Sequence, residues 1–400
     1  SDVCSSDLGN GTTALILSYM SFAIGYIAGP FGAIFFGHIG DRKGRKVTMY
    51  ASLLMMGIST SIIGILPPAA SAGVGVVIVL QLMRLAQCFG RGGTWGGGIL
   101  MAYENVPENK RSFYAAIPQI GLPIGFGLSS ILIAVPTLLL PEDIFFTWGW
   151  RIPFLAAIIL TLIVIRQKGE MMETEDYKKA QAKLEAEEAE GKKHKVGFIP
   201  MVKGYWKTLL LGCGTRWVDG TFYNIFIVWI LSYCINWLGM PLIQTYIITI
   251  IACIFKIPFT LFGGWCAQKL GNTRTFVIGA LASAVLSIPT LKVIELSKGN
   301  LAITIIGIVL GWSIAYNLIW AVISSLWSSY FETEVRYSGI SFVYHVPSFL
   351  VAGMVPTICT LLINYGKGDT IYVGIYSTVV ALISAACALA LKARHDRGEK

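Results

Sequence analysis

The sequence predicts an all-α integral membrane protein made of two related helix bundles. Of its 400 residues, 55% are hydrophobic and only 13% are charged, a composition that gives a soluble protein too little polar surface. The chain divides into apolar stretches of membrane-spanning length, separated by short polar joints. Two polar segments of the first half also recur in altered form in the second half. A soluble globular fold is therefore excluded.

We predict eleven membrane-spanning stretches, five in a first bundle and six in a second. The bundles cover residues 13–165 and 207–391, with a cytoplasmic linker at 166–206 and a cytoplasmic tail at 392–400. The stretches are 13–36, 47–66, 74–102, 113–138, 151–165, 207–236, 242–265, 275–294, 301–328, 338–364 and 370–391.

The charged residues support this topology. Most of the 31 Lys and Arg residues lie in alternate loops, which places the 37–46 loop, the linker and the C-terminus in the cytoplasm. They form no continuous basic stripe, so nucleic-acid binding is not expected. The Ala/Glu/Lys run within the linker is typical of a solvated helix, and a regulatory docking role is the less favoured alternative.

An internal repeat supports two halves. The segment from Gly264 to Gly271 reproduces the glycine spacing of Gly37 to Gly44, and 329–336 corresponds to 104–111. The repeat requires a partner for the helix at 207–236 ahead of residue 13, where no apolar stretch is found. We expect residues 1–12 to be a non-native or truncated leader, with a natural eleven-helix protein as the less favoured alternative.

Enzyme chemistry has no support in the sequence. The eight cysteines are scattered singly, with no metal-ligand spacing, and no zinc-protease motif, phosphate loop or nucleophile elbow occurs. We expect no catalytic residue, metal or cofactor.

Charged residues inside the apolar stretches are the candidate functional residues, because burying a charge in a bilayer costs at least about 2.5 kcal/mol. Arg84, Arg91 and Trp95 share one face of a predicted helix, with Arg84 near mid-membrane. We expect both arginines to face a wet cavity; for Arg91, snorkelling to the membrane surface is equally compatible.

A second set lies on the helix predicted at 207–236. Arg216, Asp219 and Tyr223 form a stripe there, and Asp219 is predicted to be the only acidic residue at mid-membrane depth. An Arg216–Asp219 pair with a purely structural role is the alternative. Lys256 and His345 are weaker candidates for the substrate or proton pathway.

Four motifs carry a family resemblance. The loop Gly37-x-x-x-Asp-Arg-x-Gly-Arg-Lys46 resembles the signature loop of the major facilitator superfamily. The segments 92–97, 148–154 and 334–339 resemble its metabolite:proton symporter family, whose members include shikimate, proline/betaine, α-ketoglutarate and citrate permeases. The resemblance covers about residues 13–392 and implies six plus six helices, symport and alternating access. Cys88, Thr94 and His345 depart from the family's usual Gly, Glu and Gln.

The loop and its repeat predict a cytoplasmic gate. Asp41, Arg45 and Glu104 correspond to uncharged residues in the second half, so we predict that these three side chains pair as a latch. Asp41 as a simple helix cap is the alternative. The remaining predicted gate residues are Gly37, Arg42, Gly44, Arg111 and Arg336.

The expected function is proton-coupled uptake of a small molecule across a bacterial plasma membrane by a monomer. Excess positive charge at mid-membrane favours a carboxylate substrate over a cation, and a zwitterion stays open. The alternatives are a non-transporting sensor on the same fold, an integral membrane enzyme, or an inactive truncated fragment.

Overall fold

The computed structural model describes residues 11–67, 73–166, 182 and 198–399. Within these residues the chain is almost wholly helical and has no strand, as predicted. The helices of the first half are α1 (Gly11–Gly25), α2 (Ala28–Lys43), α3 (Arg45–Ile65), α4 (Val74–Glu104), α5 (Arg111–Ala116), α6 (Gly121–Leu139), α7 (Glu142–Thr147) and α8 (Ile152–Arg166).

The helices of the second half are longer and more often interrupted. They are α9 (Phe198–Asn224), α10 (Ile230–Asn236), α11 (Leu242–Leu270), α12 (Asn272–Leu296), α13 (Leu301–Ile308), α14 (Asn317–Ser328), α15 (Arg336–His345), α16 (Val355–Tyr365) and α17 (Ile371–Asp396). Three π-helical segments join α9 to α10, α13 to α14 and α15 to α16, at Ile225–Trp229, Val309–Ala315 and Phe349–Gly353.

The described residues contain ten helical stretches that are long and apolar enough to cross a membrane. The sequence predicted eleven. The difference is the stretch at 74–102, which forms the 31-residue helix α4 but is not among the ten. Two arginines and a run of glycines make this helix less apolar than the others. Most of the predicted linker, 167–197 except residue 182, lies outside the described residues, whereas its last part, 198–206, belongs to α9. Residues 1–10 of the predicted leader 1–12 also lie outside them, and its last two residues begin α1.

The repeat is visible in the backbone. Gly44 separates α2 from α3 with φ 105° and ψ 156°, and Gly271 separates α11 from α12 with φ 89° and ψ 152°. A residue with a Cβ rarely adopts this conformation, so the turn requires glycine in both halves. We call the end of the molecule that carries these two turns the loop end; the other end, which carries Trp237 and Gly368, is the opposite end.

Small residues allow the helices to approach closely. A Cβ on Gly92 would lie 2.4 Å from the backbone of Gly32 and Ala33, and one on Gly29 would lie 3.3 Å from the His345 ring. Close approach of this kind is the usual role of small residues between membrane helices. Gly121 and Gly125, which lie four residues apart on α6, make no such contact, because no atom lies within 4 Å of a Cβ at either position.

Arg151, in the segment 148–154, has a structural role at the opposite end. Arg151 is buried, and its Nη2 donates a 2.7 Å hydrogen bond to the carbonyl of Leu66, which follows α3. Nη1 donates to the carbonyl of Thr147 at the end of α7, and the guanidinium lies 4.4 Å from the centre of the Trp150 ring. Arg151 thus satisfies carbonyls that two helix ends leave without partners.

Candidate functional site

A cavity of about 560 Å³ lies between the two halves. Both halves contribute to its wall, mainly through α4 and the start of α6 on one side and α9 on the other. The lining residues are Tyr26, Leu53, Met56, Arg91, Thr94, Trp95, Pro118, Gln119, Gly121, Leu122, Arg216, Asp219, Tyr223, Asn224, Trp320, Tyr344 and Ala352.

The second half contributes a buried ion pair. Arg216 and Asp219 are 4% and 1% exposed, and Nη1 of the arginine donates to Oδ2 of the aspartate. The other carboxylate oxygen accepts a hydrogen bond from the hydroxyl of Tyr316. Since α9 places residues three apart on neighbouring turns, the Arg-x-x-Asp spacing alone allows the pair to form. The negative charge of Asp219 is therefore matched within its own half.

The first half contributes a cation without a carboxylate. The guanidinium of Arg91 lies 4.5 Å from the centre of the Tyr26 ring, and no described carboxylate pairs with it. Its Nε is buried and has no hydrogen-bond partner among the described residues. Arg91 consequently gives the cavity wall an uncompensated positive charge.

An aromatic ring links the two halves beside the cavity. The Trp95 ring of α4 stacks on the Tyr344 ring of α15, with centroids 4.1 Å apart and planes 20° apart. The guanidinium of Arg216 lies 4.2 Å from the centre of the same tyrosine ring. Tyr344 thus contacts a group from each half, a geometry favourable for both stacking and cation–π attraction.

Three predicted pathway residues do not line the cavity. Arg84 is half-buried on α4. It lies seven residues before Arg91, so the two side chains share nearly the same face of the helix. The same spacing puts Arg84 about 10 Å further along the helix axis, outside the cavity lining. Lys256 is fully buried behind the wall, with Nζ 4.4 Å from the ring centres of Trp312 and Tyr316. His345 is buried, and neither ring nitrogen has a partner among the described residues.

The two halves meet on both sides of the cavity. Towards the loop end, Arg336 Nη1 and Glu104 Oε1 lie 3.1 Å apart, and Trp320 Nε1 donates a 3.1 Å bond to the Gln119 carbonyl. Towards the opposite end, the hydroxyl of Tyr19 donates a 2.6 Å bond to Ser232. These contacts join the halves on each side of the cavity.

The predicted gate is described in part. Gly37 packs on Ser338 of the other half, Gly44 forms the turn, and Arg111 lies 3.5 Å from Glu108 with its guanidinium over the Tyr103 ring. Glu104 and Arg336 join the halves. The side chains of Asp41, Arg42 and Arg45 lie outside the described part of the chain, so the three-residue latch stays a prediction.

Sequence reasoning missed several residues of the wall. Asn224 immediately follows Tyr223 on the same helix, so widening the polar stripe by one residue would have included it. Tyr26 and Tyr344 of the wall, and Tyr316, which is outside the wall but donates to Asp219, carry no such signal, because an aromatic residue in an apolar helix is most often a packing residue. Their roles depend on tertiary contacts with Arg91, Asp219 and Arg216.

The chain matches the family model described as the Major Facilitator Superfamily over residues 3–356. It is 33% identical to the inner membrane metabolite transport protein YhjE of Escherichia coli (strain K12), over 97% of this chain and 87% of that protein. It is 30% identical to the shikimate transporter of the same organism, with coverages of 94% and 84%. It is 27% identical to the proline/betaine transporter of Salmonella typhimurium (strain LT2), with coverages of 96% and 76%.

Solved structures share the fold at lower identity. The proton:xylose symporter XylE bound to 6-bromo-6-deoxy-D-glucose superposes with a TM-score of 0.76 at 15% identity, over 96% of this chain and 87% of that one. The partially occluded inward-open conformation of XylE from E. coli gives a TM-score of 0.68 at 15% identity, with coverages of 96% and 89%.

Proposed function

Since this chain belongs to the major facilitator superfamily, and its curated relatives are transporters and not enzymes, we propose that it takes up a small organic carboxylate together with protons. The proposed location is the inner membrane of a bacterium, with the basic loop end in the cytoplasm. The observation that carries the proposal is the uncompensated Arg91 in a cavity shared by both halves.

Charge favours an anionic substrate. Arg216 and Asp219 cancel as a pair, so Arg91 leaves the wall with one net positive charge. In a cavity between membrane helices, where the effective dielectric constant is lower than in water, such a charge attracts an anion and repels a cation. A guanidinium also suits the planar, two-oxygen geometry of a carboxylate.

Asp219 is the proposed proton site. A proton on this carboxylate removes its attraction for the Arg216 guanidinium, which then becomes available to a substrate carboxylate in the same cavity. Proton binding and anion binding would therefore support each other. Tyr316 holds the second carboxylate oxygen in place and so fixes the position of the acid when Arg216 is released.

Contacts that join the halves at each end support transport by alternating access. The Glu104–Arg336 pair must break to open the loop end, and the Tyr19–Ser232 contact must break to open the opposite end. Substrate and proton would reach the cavity from one side at a time as the halves rock.

The test is uptake of radiolabelled shikimate into proteoliposomes under an imposed proton gradient, with glycine betaine as the zwitterionic competitor. Accumulation that collapses with a protonophore supports the proposal. Asp219→Asn should lose gradient-driven accumulation but keep exchange between internal and external substrate, whereas the exposed control Glu108→Gln should keep both. Failure of shikimate and other carboxylates to move would overturn the proposal in favour of a sensor, and movement of betaine alone would favour the zwitterion.

A further inference from the structure

An apolar groove runs between α3 and α8 on the surface of the first half. It is a cavity of about 260 Å³, lined by Ile58, Ser61 and Ile65 of α3 and by Ile158 and Leu162 of α8, among others. Residues three and four apart share one face of a helix, so each helix presents one stripe to the groove. The four named aliphatic residues are exposed. The groove is therefore open to the lipid, and none of its residues lines the cavity between the halves.

A second cavity, of about 320 Å³, continues this groove to the opposite end. Ile65 belongs to the walls of both cavities. On the other side, Arg151 and Leu155 of the second cavity are followed by Ile158 and Leu162 of the first, at intervals of four, three and four residues. This spacing is one stripe about 16 Å long. We call the two cavities together the α3–α8 groove.

The outer part of the α3–α8 groove lies at the level of the membrane surface. The membrane-spanning stretch that contains α8 begins at Gly149, two residues before Arg151. Trp148 lines the same part of the groove and is exposed. Tryptophan is enriched at this depth, because its amphipathic ring sits among the lipid headgroups. The groove thus extends from the headgroup layer towards the middle of the bilayer.

Arg151 gives the outer part a positive charge. Its described hydrogen bonds go to the carbonyls of Leu66 and Thr147, which hold the guanidinium in place but carry only partial charges. No described carboxylate pairs with Arg151 or lines this part of the groove. Arg151 Nε has no partner among the described residues, and it is not one of the atoms closed off from the surroundings. The charge is therefore both uncompensated and accessible.

A positive charge in the headgroup layer, joined to an apolar channel, matches the two parts of a phospholipid. We propose that the α3–α8 groove binds an anionic phospholipid, with its phosphate on Arg151 beside Trp148 and one acyl chain between the two helices. A guanidinium suits the geometry of a phosphate. A free phosphate ion would leave the apolar part empty. A zwitterionic lipid is disfavoured, because no described carboxylate lines the groove to meet its ammonium group.

The bound lipid would attach α8 more firmly to the first half. None of the residues of α8 is buried, so this helix makes less use of protein contacts than its neighbours. An acyl chain in the groove would contact α3 and α8 at the same time and add packing between them. This role does not depend on which substrate the protein carries.

The test measures lipid binding to the purified, delipidated protein in detergent by native mass spectrometry. Phosphatidylglycerol and phosphatidylcholine of equal chain length are compared. The wild type should bind one phosphatidylglycerol about 5-fold more tightly than phosphatidylcholine. Glycerol phosphate, which has no acyl chain, should bind at least about 10-fold more weakly than phosphatidylglycerol. Equal binding of the two lipids overturns the proposal, and tight binding of glycerol phosphate assigns the site to a free phosphate instead.

Variants separate the chain site from the headgroup site. Ser61→Phe fills the groove and should weaken phosphatidylglycerol binding about 10-fold, whereas Leu160→Phe, at an exposed residue of α8 outside the groove, should bind as the wild type. Arg151→Gln should reduce the preference for phosphatidylglycerol to within about 2-fold. Thermal unfolding without lipid shows whether Arg151→Gln is folded; if it is not, Ser61→Phe alone decides. Unchanged binding in Ser61→Phe, or an unchanged preference in folded Arg151→Gln, overturns the proposal.

Discussion

Glu104 and Arg336 form an ion pair, 3.1 Å long, that joins the end of α4 in the first half to the start of α15 in the second. The carboxylate side chain is fully buried and the arginine side chain is 11% exposed. The guanidinium also donates from Nε to the carbonyl of Phe331, 3.1 Å away. The pair is therefore part of the surface that must separate before the loop end can open.

Removing one member of this pair should favour opening of the loop end. In Glu104→Gln, the buried guanidinium of Arg336 loses its counter-charge. This loss destabilises the closed loop end by about 3–5 kcal/mol, and opening relieves it because water then reaches the guanidinium. Ser324 donates to the Ala115 carbonyl at the same interface, so Ser324→Cys provides a thiol there. We expect maleimide to label this thiol faster when Glu104→Gln is also present. Glu108→Gln, at a residue whose side chain is 89% exposed, should label as the wild type. An unchanged rate in Glu104→Gln would show that the pair does not hold this end closed.

The two arginines of α4 should differ in function. Arg91→Gln removes the uncompensated charge of the cavity, so the affinity for a carboxylate should fall about 10- to 100-fold. Arg84→Gln changes a residue of the same helix that does not line the cavity, and should stay within about 2-fold of the wild type. Titration of substrate-dependent quenching of tryptophan fluorescence measures both. Equal losses in the two variants would contradict the position assigned to Arg84.

Lys256 should be dispensable for folding. No described carboxylate pairs with it, and its Nζ contacts only the Trp312 carbonyl, at 3.4 Å, and two aromatic rings. Replacing a buried charge with an apolar side chain of similar volume is often neutral or stabilising, so Lys256→Met should unfold at the same temperature or higher. Arg216→Met should instead lower the free energy of unfolding by about 3–5 kcal/mol, because Asp219 keeps a buried charge without its cation. Thermal unfolding in detergent distinguishes the two; a large destabilisation by Lys256→Met would make this lysine structural.

Alanine should be costly at the two turn glycines. Gly44→Ala and Gly271→Ala each force a Cβ into a backbone region that is nearly exclusive to glycine, at a cost of about 1–3 kcal/mol. Gly98→Ala is the matched control, since a Cβ there would meet no atom within 4 Å and the backbone is helical. Thermal unfolding should show lower midpoints for the first two variants only.

One surface carboxylate at the opposite end predicts a dependence of stability on pH. The Lys292 ammonium, 2.6 Å from Asp369 Oδ1, and the Ile371 amide hold the pKa of Asp369 below its ordinary value. A carboxyl group with a lowered folded-state pKa stabilises the protein above its unfolded-state pKa, and this contribution is lost as pH falls through the folded-state pKa. The unfolding midpoint of the wild type should therefore fall more steeply in acid than that of Asp369→Asn. Asp143→Asn, which changes an exposed aspartate with no described ion pair, should follow the wild type.

The fold could be predicted because its signals are local. Apolar length gave the helices, and the glycine spacing gave the repeat that Gly44 and Gly271 confirm in their backbone angles. The cavity wall depends instead on which helices meet, and one sequence does not contain that information directly. Helix periodicity grouped Arg84 with Arg91 by face but could not show where along the helix the cavity ends.

Each of the three π-helical segments contains or lies near a residue of the cavity wall. Asn224 immediately precedes the first, Trp320 lies five residues after the second, and Ala352 lies within the third. Each wide turn accommodates extra backbone, so deleting one residue from it could restore a regular α-helix and rotate the neighbouring side chains by about 100°. Related sequences could therefore change the chemistry presented to a solute through a single-residue insertion or deletion, with no substitution at the contact positions themselves.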